Sequence, residues 1–110
     1  MEHEIKEERG RQIVVLRGEI DLGSSPKARK VLLKVVGQGK PILVELSAVP
    51  YMDSSGIASL VEAYQKAKKN GAEFALVNVN PSVLRVLNLA RLDKVFTFYE
   101  DMESAFHAES

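Results

Sequence analysis

The stretch Ile42-Leu43-Val44-Glu45-Leu46, followed by Tyr51-Met52-Asp53-Ser54-Ser55-Gly56 and a periodic segment from Ile57, decides how this chain folds. The first run is short and almost wholly apolar, as a strand buried on both faces reads. From Ile57, the side chains of Leu60, Val61, Tyr64 and Ala67 form a stripe at helical spacing, with Glu62, Gln65, Lys66, Lys68 and Lys69 on the wet side. Two hydroxyls and a carboxylate therefore sit where a strand hands over to a helix. The first N–H groups of a helix have no partners within it, so Asp53, Ser54 and Ser55 can cap this one, and the helix dipole favours added negative charge at that end. A phosphoryl group is accommodated there, which makes Ser54 the residue on which function is expected to turn.

Towards the N-terminus, residues 3–9 read as a weak polar strand, and Gly10 separates them from a β-branched strand over 12–17. After Gly18-Glu19-Ile20-Asp21, the pair Ser25-Pro26 reads as an N-cap and first helical residue, with Ala28, Val31, Leu32 and Val35 at helical spacing and a stop at Gly37-Gln38-Gly39. Towards the C-terminus, Asn70-Gly71 ends the Ile57 helix and residues 73–78 form another apolar strand. Asn80-Pro81 repeats the cap-plus-proline start for a helix carrying Val83, Leu84, Val86, Leu87 and Ala90. Residues 95–99 read as a last strand, and Asp101 opens a short helix with Met102, Ala105 and Phe106 inward.

Helices between the later strands demand parallel pairing, while the two opening strands have none between them. The expected fold is α/β, a single layer of helices on one side of a mixed four- to five-stranded sheet, in one domain over residues 1–110. Right-handed crossovers gather the loops at the carboxyl ends of the strands on one edge, where sites in open α/β sheets lie. Asp21 follows the second strand and Asp53-Ser54 the third, so both are expected to reach one surface.

Composition narrows the partners. The chain has 110 residues, 45% apolar and 27% charged, which suits one modest core. Fifteen basic and fifteen acidic side chains cancel, giving no net electrostatic case for nucleic acid or an anionic membrane. With no cysteine there are no disulfides or thiolate sites, and no apolar run approaches a membrane span, so a cytoplasmic protein is expected. His3 and His107 lie in no motif, and neither a metal nor a cofactor is expected. Hydrolase chemistry at a serine lacks a histidine base in any recognisable context, and Gly-x-Ser-x-Gly is absent. A phospho-acceptor role for Asp53, with Glu19 and Asp21 holding Mg²⁺, ranks below a binding role because the chain opens with two strands and Lys94 precedes the last one. No enzymatic activity is expected.

Gly18-Glu19-Ile20-Asp21, Asp53-Ser54-Ser55-Gly56 after a strand, Gly71, Pro81-Ser82-Val83 and residues 87–92 with Val95-Phe96 behind them come in an order that resembles the bacterial anti-sigma factor antagonists built on the STAS domain. The resemblance covers nearly the whole chain. It implies a binding module that regulates transcription by partner switching. Its partner would be an anti-sigma factor with serine kinase activity, using ATP bound by that partner to phosphorylate Ser54. The unphosphorylated form would bind the anti-sigma factor and release a sigma factor, and a serine phosphatase is the implied second partner. The implied contact residues are Asp21, Asp53, Ser54, Ser55, Gly56 and Ile57. An alternative within the same fold is an interaction subunit of a signalling assembly or lipid-transport ATPase without kinase switching.

Two positions depart from the pattern. Ile57-Ala58 stands where Leu-Gly is common, and Arg91 stands near the third helix end where glycine is common. Ser54 and Ser55 also have a plain reading as helix caps, and Asp21 as a turn residue before Ser24-Ser25-Pro26. Gly56 could relieve crowding in the first turn or admit a partner. Lys66, Lys68 and Lys69 read as a solvated face.

Overall fold

Arg9 and Gly10 both adopt positive φ, 53° and 79°, and this two-residue turn matches the twist of the strands it joins. It pairs β1 (Glu2–Glu8) antiparallel with β2 (Arg11–Arg17), from Glu8 opposite Arg11 to Glu2 opposite Arg17. The rest of the computed structural model, which describes residues 1–108, alternates helix and strand. In order come α1 (Ser25–Val36), β3 (Ile42–Ala48), α2 (Ser54–Lys69), β4 (Phe74–Val77), α3 (Pro81–Leu89), β5 (Thr97–Tyr99) and α4 (Met102–His107). Pairing is parallel from β2 through β5, and the strands lie in the sheet in chain order, giving a mixed five-stranded sheet. The α/β architecture read from the sequence is the one found.

Side chains alternate across the sheet, so the inner strands feed two cores. Val14 and Leu16 of β2, Val44 and Leu46 of β3 and Leu76 of β4 point to one face, where they meet Leu32 and Val35 of α1, Leu60 and Ala63 of α2, and Val83 and Leu87 of α3. Ile13, Leu43, Ala75 and Val77 point to the other face, where Ala105 of α4 packs on them with Met102 and Phe106 alongside. The single layer of helices is thus corrected: three helices form it and α4 covers part of the opposite face. The apolar run of β3 left both faces needing cover.

Two boundaries also move. The N-cap of α1 is Ser24, one residue before the expected Ser25, which is itself buried. The last strand spans only Thr97–Tyr99, because a 3₁₀ turn at Leu92–Lys94 follows α3. Phe96 is excluded from that strand and joins the core, its ring centroid 5.4 Å from Tyr64 and 6.1 Å from Phe74. Core packing, not ladder pairing, is the role of Phe96.

Candidate functional site

Beyond the ends of β2 and β3 the chain makes one further parallel bridge, between Ile20 and Met52. Ile20 N–H donates to Tyr51 O at 3.0 Å, and Asp53 N–H donates to Ile20 O at 3.1 Å. The loops carrying Asp21 and Asp53-Ser54 are thereby held side by side, and the two motifs meet on one edge as expected. The starts of α1 and α2 are neighbours there too, with Ser59 Oγ 3.1 Å from Ser55 O and 3.4 Å from Ser25 O.

Asp53 is the N-cap of α2. Its Oδ1 accepts Ser55 N–H at 2.9 Å, Gly56 N–H at 3.2 Å and the Ser55 hydroxyl at 2.5 Å. The Ser55 hydroxyl holds the Asp53 carboxyl below the ordinary carboxylate range; burial opposes this, and the N–H groups of Gly56, Ser55 and Leu22 add to the lowering. That carboxylate is occupied in capping, which counts against the phospho-acceptor reading of Asp53. Ser54 is the first residue of α2 and is exposed, and among the described residues its hydroxyl makes no hydrogen bond. The two serines, equivalent in sequence, differ in structure.

Asp21 organises its own turn. Its Oδ1 accepts Gly23 N–H at 3.0 Å and Ser24 N–H at 3.1 Å, and its carbonyl accepts Ser25 N–H at 2.7 Å. The turn role and an outward position coexist, since Asp21 is exposed.

Gly56 and Ile57 are buried. A methyl group at residue 56 would stand 2.5 Å from Met52 Cγ and 2.9 Å from Ile20 Cγ2, so the need for glycine is internal, imposed by the bridge beneath the helix. Ile57 turns its bulk into the main core, and Ala58 is the exposed member of that pair. Of the six expected contact residues, Asp21 and Ser54 lie at the surface, Asp53 and Ser55 are half-buried, and Gly56 and Ile57 shape the surface from below.

Two residues that the sequence reading left out of the site support it. Asn80 Nδ2 donates to Ser47 O at 3.0 Å and Val49 O at 2.6 Å, and Ser82 Oγ donates to Pro50 O at 2.6 Å, so α3 braces the approach to Tyr51. Asn80 reads in sequence only as a cap, yet it makes no side-chain capping bond.

Residues 3–105 match the STAS domain family. The chain belongs to the STAS domain family. This STAS domain is 32% identical over 104 residues to the anti-sigma F factor antagonist of Paenibacillus polymyxa, an alignment covering 93% of this chain and 89% of that one. It is 32% identical over 82 residues to the anti-sigma-B factor antagonist of Bacillus subtilis (strain 168), covering 74% and 75% of the two. Among solved structures, an anti-sigma factor antagonist from Mycobacterium paratuberculosis superposes with a TM-score of 0.89 at 30% identity, covering 97% of this chain and 92% of that one. The resemblance read from the motifs is therefore the family found. Among the described residues of this STAS domain, no helix is long and apolar enough to cross a membrane.

Proposed function

We propose that this STAS domain is an anti-sigma factor antagonist switched by phosphorylation of Ser54. The observation that carries the reading is the exposed, unengaged hydroxyl of Ser54 on the first residue of α2, beside a Ser55 hydroxyl committed to Asp53. The partner is an anti-sigma factor with serine kinase activity. Ser54 Oγ attacks the γ-phosphorus of ATP held by the partner, the bond to the β–γ bridging oxygen breaks, ADP leaves, and the hydroxyl proton passes to a base on the partner. A serine phosphatase hydrolyses the ester and returns the free serine.

The phosphate is tolerated by the fold and not by the complex. In the first turn of α2 a negative charge is favoured by about 0.3–1 kcal/mol. A phosphoserine carries roughly −1.5 to −2 charges at neutral pH. At an interface that charge must shed water, and leaving it unpaired there costs on the order of 2–5 kcal/mol. A penalty of about 4 kcal/mol weakens binding about a thousandfold, enough for a switch.

The test is to titrate wild type, Ser54→Ala and Ser54→Asp against the serine-kinase anti-sigma factor encoded in the same genome, while recording thermal unfolding of each. Ser54→Ala should bind as wild type does, and Ser54→Asp should lose most affinity with its unfolding transition intact. Equal affinities across the three would defeat the reading.

A further inference from the structure

Strand β1 is an edge of the sheet: β2 pairs with one side of it, no strand among the described residues pairs with the other, and every one of its residues is exposed. The strand beside it fixes which main-chain groups of β1 face outward. Gln12 N–H crosses to Pro41 O at 2.8 Å, towards the β3 side of β2, so Gln12 turns its main chain away from β1. Its partner Glu7 therefore sits in a non-hydrogen-bonded pair and directs its own N–H and C=O to the open edge. Ile5 and His3 follow at period two. Such a row of outward main-chain groups is a template for a further strand.

Charged side chains commonly blunt an edge, and Lys6 with the glutamates of β1 would do so against most strands. Against a copy of β1 they do the reverse. A second copy adds antiparallel only with outward residues opposite outward residues, so the registers that join the strand middles place Glu4, Ile5 or Lys6 on the twofold axis. Glu4 or Lys6 there would face its own charge, which destabilises a pair. With Ile5 on the axis, Glu4 meets Lys6 and His3 meets Glu7 on both sides of it, and the like pair Glu2–Glu8 falls at the frayed ends. Ile5, an apolar side chain 42% exposed in the monomer, then packs on its own copy. Two of the carboxylates are also neutralised within the chain, Glu4 by Arg17 at 2.8 Å and Glu7 by Lys40 at 2.6 Å.

We propose that β1 is a self-association edge, on which a second copy of this chain adds its own β1 antiparallel with Ile5 on the twofold axis. The two sheets become one continuous sheet. About six main-chain hydrogen bonds and one small apolar contact make an interface under ~1,200 Å², the size of a weak and reversible association. The twofold axis stands perpendicular to the sheet and reverses the strand direction, so the Ser54 surfaces of the two copies lie at opposite ends and both stay open. The inference does not depend on the function proposed above, since it requires no kinase and no phosphate. It makes the dimer bivalent, with the two surfaces pointing away from each other.

Sedimentation equilibrium of the full chain at low salt, from about 10 μM to about 1 mM, tests the proposal. The wild-type mass should rise with concentration towards that of a dimer. Glu4→Lys sets lysine against Lys6 of the other copy, and Lys6→Glu sets glutamate against Glu4, so each variant alone should dimerise about tenfold more weakly or worse. An equal mixture of the two should dimerise again, because each charge then meets its opposite across the axis. That rescue excludes misfolding as the cause of the single-variant losses. Ile5→Asp, which places two carboxylates on the axis, should stay monomeric, and Ile5→Val should behave as wild type. A wild-type mass that stays monomeric throughout would overturn the proposal. So would single variants that dimerise as wild type does, or a mixture that fails to recover, since the contact would then lie elsewhere or in another register.

Discussion

The Asp53 carboxylate takes the hydroxyl of Ser55 at 2.5 Å and leaves that of Ser54 at the surface. A kinase that must bring a nucleophilic oxygen into line with a phosphorus atom meets one available serine, not two. Ser54→Ala should therefore abolish phosphate incorporation from ATP and the cognate kinase, while Ser55→Ala should still be modified at residue 54, as mapped by mass spectrometry of peptides. Phosphate on Ser55 in the wild type would refute the assignment.

Asp53 should give the fold a pH dependence in acid. Its carboxyl in the folded state lies below the ordinary value, so its contribution is fully present above about pH 4, where the unfolded side chain is ionised, and is lost as pH falls through the lower folded-state value. Asp53→Ala should lower the unfolding midpoint at pH 7, and the gap to wild type should narrow as the pH is brought below that of an ordinary carboxylate. A gap independent of pH would mean that the cap works as well uncharged.

Gly56→Ala should destabilise the protein by about 1–3 kcal/mol, as overpacked core positions do, because the new methyl meets Met52 and Ile20 at the bridge between the two loops. Urea unfolding of Gly56→Ala, Met52→Ala and the double variant checks the cause. The double variant should be more stable than the sum of the singles, since the smaller residue 52 admits the methyl.

Arg91 adopts the left-handed conformation, φ 61° and ψ 24°, between α3 and the 3₁₀ turn, and its side chain is exposed. The departure from a glycine at this place in the family pattern is a strained one, since a Cβ in that region costs roughly 1–2 kcal/mol. Arg91→Gly should raise stability by about 1 kcal/mol net of the greater freedom of glycine in the unfolded chain, read from the urea midpoint at constant slope. A loss of stability would mean that Arg91 makes compensating interactions.

Local pattern was enough for much of the site. Strand into Asp53-Ser54-Ser55-Gly56 into helix is a statement about neighbours in sequence, and caps, periodicity and proline placement act over a few residues. What a residue meets across the chain was not readable in that way. Gly56 could be for a partner or for the fold, until Ile20 and Met52 were found beneath it.

By itself the sequence determined the α/β order, the parallel pairing after the first hairpin, the family and the position of Ser54 at a helix start, because each follows from short-range chemistry repeated along the chain. Only the tertiary structure decided that α4 covers the far face of the sheet, that Phe96 leaves the last strand for the core, and that Ser55 and not Ser54 is tied to Asp53. Those outcomes depend on which buried surfaces and donors come within contact distance when distant segments close on one another. Alternating side chains on β2, β3 and β4 left two faces to cover, and the geometry of the α2 cap brings the hydroxyl of Ser55, not that of Ser54, onto the Asp53 carboxylate.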